Sequence, residues 1–210
     1  MFSQLLTSEN LLIALAWAGY GALHSGLASI TVKAWITRHW PARFGTFRLS
    51  YNLLAIVLLI PLVVSTEQAD EVWLWRWEGL WAWLAHGVTA AVVAGFVWSS
   101  RAYDLREFMG LSSVDSTRPS RFGLSPLHRW VRHPWYFLGL LWLWTRDMDA
   151  ARLSAALVIT GYVWLGSRLE DRKLEQELGA LYRHYRAHVP GLLPRPWRCL
   201  SRAEFLRLRG

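Results

Sequence analysis

Residues 79–100 read GLWAWLAHGVTAAVVAGFVWSS, twenty-two positions with no Lys, Arg, Asp or Glu. A helix of that length extends about 33 Å, enough to cross the roughly 30 Å hydrocarbon core of a bilayer. Working outward, four more apolar runs occur at about 10–31, 49–66, 134–145 and 151–167. The runs at 10–31 and 49–66 also have spanning length. The whole chain is 18% charged, against roughly 25% in soluble domains. It carries 15 Trp, the residue that favours the membrane–water interface. These features predict an all-α polytopic membrane protein: about five transmembrane helices, the last two a helical hairpin, in one integral membrane domain over 1–210.

Charge placement sets the orientation. Lys33, Arg38, Arg43 and Arg48 follow the first run, and six Arg from Arg101 to Arg132 follow the third. Ten more basic residues lie from Arg168 to Arg209, so 20 of the 23 fall on one side. The other side keeps Arg76, Arg146 and Arg152 beside Glu67, Asp70, Glu71, Glu78, Asp147 and Asp149. This alternation is the positive-inside pattern and predicts the N-terminus outside and the C-terminus in the cytoplasm. A net charge of +8 can indicate nucleic-acid binding, but nucleic acid requires no such alternation and is excluded. The single cysteine, Cys199, excludes an intrachain disulfide. No basic residue precedes the first run, so it is expected to be a retained helix rather than a cleaved signal.

The fourth run is short. From Pro134 to Thr145 a helix extends only about 18 Å. It is either lengthened at its start by Ser125–His133 or dips in as half of a hairpin that turns at Arg146–Ala150. The loop from Leu111 to Pro126 holds most of the Ser, Thr and Pro outside the helices and is the expected mobile segment. Beyond Gly166, Leu174, Leu178, Leu181, Tyr182 and Tyr185 recur at helical spacing among charges. That spacing predicts an amphipathic cytoplasmic helix ending before Pro190.

Two clusters carry candidate chemistry. Arg132-His133-Pro134-Trp135-Tyr136 stands at the cytoplasmic mouth of the fourth helix. Pro134 suits the first turn, and Arg and His at a helix N-terminus make a carboxylate or phosphate site. The alternative is an ordinary interfacial anchor to lipid phosphates. Arg168, Glu170 and Asp171 follow the fifth run. Adjacent carboxylates diverge by about 100° on a helix, so one faces the bundle and requires a partner. The alternative is a surface charge lattice with Arg172 and Lys173. Folding the hairpin brings the clusters together, one suited to a carboxylate and the other to an ammonium, as a free amino-acid head group needs.

The run from Arg132 to Tyr136, with Glu170-Asp171, Leu174, Gly179, Tyr182, Tyr185 and Val189-Pro190, resembles the isoprenylcysteine carboxyl methyltransferase and phospholipid methyltransferase superfamily. The resemblance covers about 125–195. His24-Ser25, Leu27-Ala28-Ser29, Val32-Lys33 and Arg48-Leu49-Ser50-Tyr51-Asn52 are similar to the NnrU-like and bacterial methanethiol S-methyltransferase branch, as is Tyr103–Gly110. Asp171 replaces the usual second Glu, and an Asn-Pro found in many members is absent. The resemblance implies an S-adenosylmethionine-dependent methyltransferase of the bacterial inner membrane. It would bind the cofactor through Arg132, His133, Pro134, Tyr136, Glu170 and Asp171, with Tyr182 and Tyr185 closing over it. Segment 125–196 would then hold the cofactor and 1–110 the acceptor side. The acceptor is small or lipophilic, most naturally a thiol, and membrane lipids surround the protein.

His24, in the inner half of the first helix, is a candidate to orient or deprotonate the acceptor, with Asn52 and Arg168 as further catalytic candidates. Its bland reading is an intramembrane hydrogen bond to Tyr51 or Asn52. No metal site is expected: His24 and His86 lie at different depths, and His184 and His188 sit on a solvated basic helix. A non-catalytic accessory protein and a transporter are the other classes, although no inverted repeat supports the latter.

Overall fold

A computed structural model of the chain describes residues 7–40, 44–69, 73–109, 111 and 124–209. The loop expected to be mobile lies mostly outside them. The described residues are predominantly helical and fall into two compact units. The first comprises Met1–Arg76, Asp104–Asp115 and Asp147–Ile159; the second comprises Trp77–Tyr103, Ser116–Arg146 and Thr160–Gly210.

In the first unit α1 (Ser8–Ala28) starts at a Thr7 cap, whose hydroxyl accepts from the Asn10 N–H. The expected single run over 10–31 is broken at Ser29, whose extended backbone and side chain cap a new helix, α2 (Ile30–His39). The hydroxyl competes for the Val32 N–H, which is why Ser favours helix starts over interiors. Antiparallel to α1 runs α3 (Phe44–Gln68), tied to it by Trp17 donating to Thr66 Oγ1 at 3.0 Å and Tyr20 donating to the Ala55 carbonyl at 3.2 Å. A two-residue strand β2 (Met148–Asp149) pairs antiparallel with β1 (Trp73–Trp75). Beside that ribbon Arg152 bridges buried Asp149 and Glu67 and lies over the Trp73 ring.

In the second unit α4 (Gly79–Ser100) packs antiparallel against α6 (Pro134–Trp144). The short α5 (Leu105–Met109) belongs to the first unit. Trp135 donates to Ser99 Oγ at 2.8 Å, and a Cβ on Gly95 would stand 3.2 Å from Leu138, so the helices approach closely there. The long α7 (Ala150–Leu178) begins in the first unit and enters the second at Thr160, and it is broken from α8 (Ala180–His188) by Gly179 at φ +56°. The amphipathic segment is therefore two elements: the end of α7 and α8. A last helix, α9 (Arg202–Arg209), packs Phe205 with Leu124, Tyr182, Tyr185, Val189 and Leu200.

Among the described residues, four helices are long and apolar enough to cross a membrane: α1, α3 from Thr46, α4 and α7. The first three expose large side chains such as Leu15, Ile56, Val57, Leu80 and Trp83. Apolar surface on that scale needs lipid rather than water. Helix α6 is not lengthened at its start, because Pro126–Arg129 is a separate 3₁₀ turn. The hairpin is in register: Trp144 donates to Thr160, and eleven residues away on each helix His133 meets Asp171. The eleven residues of α6 extend about 16 Å, and the chain then leaves the helix in a turn at Thr145 and Arg146. In lipid the non-helical part must find backbone partners, and β1 supplies them for Met148 and Asp149.

Candidate functional site

The backbone of the Arg132-His133 motif is clamped by the chain that follows α8. The Arg132 N–H donates to the Pro190 carbonyl at 2.8 Å and the His133 N–H to the Gly191 carbonyl at 3.2 Å. The clamp continues at Arg129, whose guanidinium donates twice to the Leu200 carbonyl while its own carbonyl accepts from the Leu200 N–H. Val189-Pro190, legible as a helix stop, is thus also the brace of a motif nearly sixty residues earlier.

Side chains then converge on Asp171. Its carboxylate accepts from Arg132 Nε at 3.1 Å and Nη2 at 2.6 Å, from His133 Nε2 at 2.8 Å, and from the Tyr182 hydroxyl. The Asp171 side chain is 3% exposed. A carboxylate so deep is tolerable only when its acceptor positions are filled. Arg132 is equally committed, because Nη1 donates to the Val189 and Arg186 carbonyls. Arg132 therefore anchors Asp171 and the clamp, rather than presenting an open fork for a ligand carboxylate.

Glu170 diverges from Asp171, as adjacent residues on a helix must. Its side chain is 47% exposed and lies 3.3 Å from His133 Nδ1. Tyr136 hydrogen-bonds it, and the Tyr136 ring stacks on His133 with centroids 5.5 Å apart. His133 thus sits between two carboxylates, one on each ring nitrogen. Burial pulls its pKa down, but the hydrogen bonds and charges of Asp171 and Glu170 outweigh that and raise it. In its protonated form the ring donates to both carboxylates. Glu170 is the accessible acid, beside the N-terminus of α6, whose dipole favours a negative group.

Tyr182 and Tyr185 are each 1% exposed. Tyr182 supports Asp171, and Tyr185 donates to the His128 carbonyl at 2.9 Å. Both are interior struts; neither lies over an open face, because α8 turns its apolar side onto Leu124 and Leu200. Arg168 is exposed and lies 5.0 Å from the Trp164 ring.

Sequence reasoning assigned His128 no role at this site. It is buried, accepts at Nδ1 from the Ser125 N–H at 3.0 Å, and turns Nε2 toward the Tyr103 hydroxyl at 3.5 Å. Burial drives its pKa down to about 4, so it is neutral, and pushes Tyr103 up to about 12 with help from the Glu170 charge. Ser125, three residues ahead of His128, was the available signal: an N-cap spacing with His in place of Glu.

His24 and Asn52 lie in the first unit. The Tyr51 hydroxyl is 2.7 Å from His24 Nε2, and Asn52 donates to the Met109 carbonyl at 3.1 Å. Among the described residues no group of three or more His, Cys, Asp or Glu could hold a metal ion.

Comparison with known proteins gives consistent relatives. The chain is 30% identical over 195 residues to a methanethiol S-methyltransferase of Mycobacterium tuberculosis, covering 85% of this chain and 75% of that one. It is 30% identical to one from Crocosphaera subtropica, covering 88% and 74%. A third, from Pseudomonas sp. (strain GM41(2012)), is 28% identical over 84% of this chain and 70% of its own. No family model and no solved structure matches.

Proposed function

Since the chain belongs to the methanethiol S-methyltransferase family and is a multi-pass membrane methyltransferase, we propose that it transfers a methyl group from S-adenosylmethionine to a small thiol. The observation that supports this reading is the meeting of the two motifs at His133, with Glu170 left accessible. Glu170 suits the ammonium of the donor's amino-acid end, and the N-terminus of α6 with the His133 imidazolium suits its carboxylate. Tyr136 orients Glu170. Asp171, Arg132 and Tyr182 hold His133 rather than touch the ligand. The donor supplies an activated methyl group on a sulfonium, which needs no acid to leave. The chain's own contribution is then positioning and exclusion of water.

The proposed site belongs at the cytoplasmic face, where the donor is soluble. The charge alternation supports an N-out, C-in orientation in a bacterial inner membrane. Calorimetry of the detergent-purified full chain with S-adenosylmethionine tests the reading. Saturable binding lost in Glu170→Ala is the expected result. A well-folded protein that binds none would overturn it and leave an accessory role.

A further inference from the structure

Residues 180–210 hold seven Arg and one acid, Glu204, a net charge of +6 with His neutral. Arg183, Arg195, Arg202 and Arg207 are exposed. In the middle of this stretch Leu193 is 66% and Trp197 79% exposed. The turn that carries them is held firmly. Pro194 and Pro196 fix its backbone, and the Arg198 N–H donates to the Arg195 carbonyl at 2.9 Å. The Arg198 guanidinium donates to the Ala187 carbonyl. Both ends belong to the clamp described above, Gly191 bonded to His133 and Leu200 to Arg129.

The depth of this turn follows from α4, in the same compact unit. No charged residue occurs in α4, and Arg101 follows at once, so its C-terminal end marks the bilayer surface. Trp135 donates to Ser99 in the last turn of α4, and two residues earlier the His133 N–H donates to Gly191. Leu193 is two residues beyond Gly191, at most about 7 Å of extended chain. The turn therefore leaves the protein close to the level where α4 leaves the hydrocarbon. Trp130, beside the Arg129–Leu200 pairing, is exposed at the same end.

We propose that the turn at 193–197 is a membrane-surface anchor, which sets Leu193 and Trp197 among the lipids and binds anionic phospholipid headgroups through the arginines around it. Charge complementarity selects that partner. Arg pairs with phosphate through two parallel hydrogen bonds, and each basic residue at an anionic surface strengthens binding by about fivefold. Trp prefers the boundary itself, because its ring is apolar and its N–H is not. A second copy of the same segment is disfavoured, since like charges would face one another. The anchor depends neither on the chemistry at Glu170 nor on which side of the membrane the C-terminus lies. It acts on the motif nonetheless: the turn is spliced between Gly191 and Leu200, so a docked turn holds the backbone of Arg129 and His133 in place.

The test places the full-length protein in nanodiscs of phosphatidylcholine alone or with about a third phosphatidylglycerol, a composition that makes the surface anionic. A polarity-sensitive fluorophore is attached at Leu193→Cys in a Cys199→Ser background, so that it occupies one position. Its emission should shift to the blue in the anionic discs. Quenching by lipids spin-labelled near the headgroup should be at least about fivefold stronger there than in phosphatidylcholine. High salt should reverse the difference by screening, and the combined Arg195→Gln, Arg202→Gln and Arg207→Gln protein should lose it. The change of lipid alone, on one labelled protein, keeps the test decisive if that combined variant folds poorly. A fluorophore open to aqueous iodide in both membranes would overturn the anchor. So would quenching by lipid that is indifferent to lipid charge, because the headgroup contact would then be absent. A blue-shifted fluorophore reached by neither quencher would assign the surface to a protein partner or a second copy instead.

Discussion

His133 Nε2 lies 2.8 Å from Asp171 Oδ1, joining the N-terminus of α6 to the C-terminal part of α7 across 38 residues of sequence. The same carboxylate holds Arg132. The acidic pair is therefore divided: Asp171 is buried among its partners, and Glu170 is the accessible acid.

That division gives opposite phenotypes for neighbouring substitutions. Asp171→Asn leaves the buried Arg132 without its counter-charge and is expected to cost about 3–5 kcal/mol of stability. Glu170→Gln, at a half-exposed position, should change stability by no more than about 0.5 kcal/mol yet abolish donor binding. Thermal unfolding and calorimetry on both proteins distinguish them. Equal loss of stability in the two would refute the assignment.

The His133 pKa is raised, so its ion pairs contribute to stability wherever the imidazole is charged. That contribution is complete below the unfolded value of 6.5 and is lost as pH rises through the higher folded value. The melting temperature of wild type should therefore fall as pH rises above 6.5, relative to a His133→Asn protein. Parallel curves for the two would count against the bridge.

His128 behaves in the opposite sense. Its folded pKa of about 4 means the neutral form is favoured by burial, and stability from this group is lost as pH falls from 6.5 toward 4. Its ring signals in an NMR titration should stay at the neutral position down to about pH 5. A midpoint near 6.5 would show that the Ser125–His128 cap is open.

Gly179 occupies φ +56°, ψ −125° between α7 and α8, a region closed to side chains by Cβ clashes. Gly179→Ala should cost about 1–3 kcal/mol, although a Cβ there meets nothing within 4 Å. The strain is in the backbone alone. Unfolding of Gly179→Ala that coincides with wild type would show that the break can be remade at another residue.

The sequence by itself determined the helical membrane fold. Long uncharged runs can satisfy their backbone inside lipid only as helices, and composition reports this without knowledge of neighbours. It also pointed to Arg132, His133, Glu170 and Asp171 as one site, because a helical hairpin must bring its two ends together. The tertiary structure alone decided which acid is buried, since two adjacent helix positions look alike until the facing helix is placed. It decided that Tyr182 and Tyr185 are struts, because their exposure depends on Leu124, Leu200 and Phe205, which lie up to about sixty residues away in the chain. It revealed the clamp of Arg129–His133 on Pro190–Leu200, which is made through backbone carbonyls that every residue carries and that no sequence pattern announces. Local hydropathy is written in the identity of each residue; the partners of a buried charge are set by where the rest of the chain comes to lie.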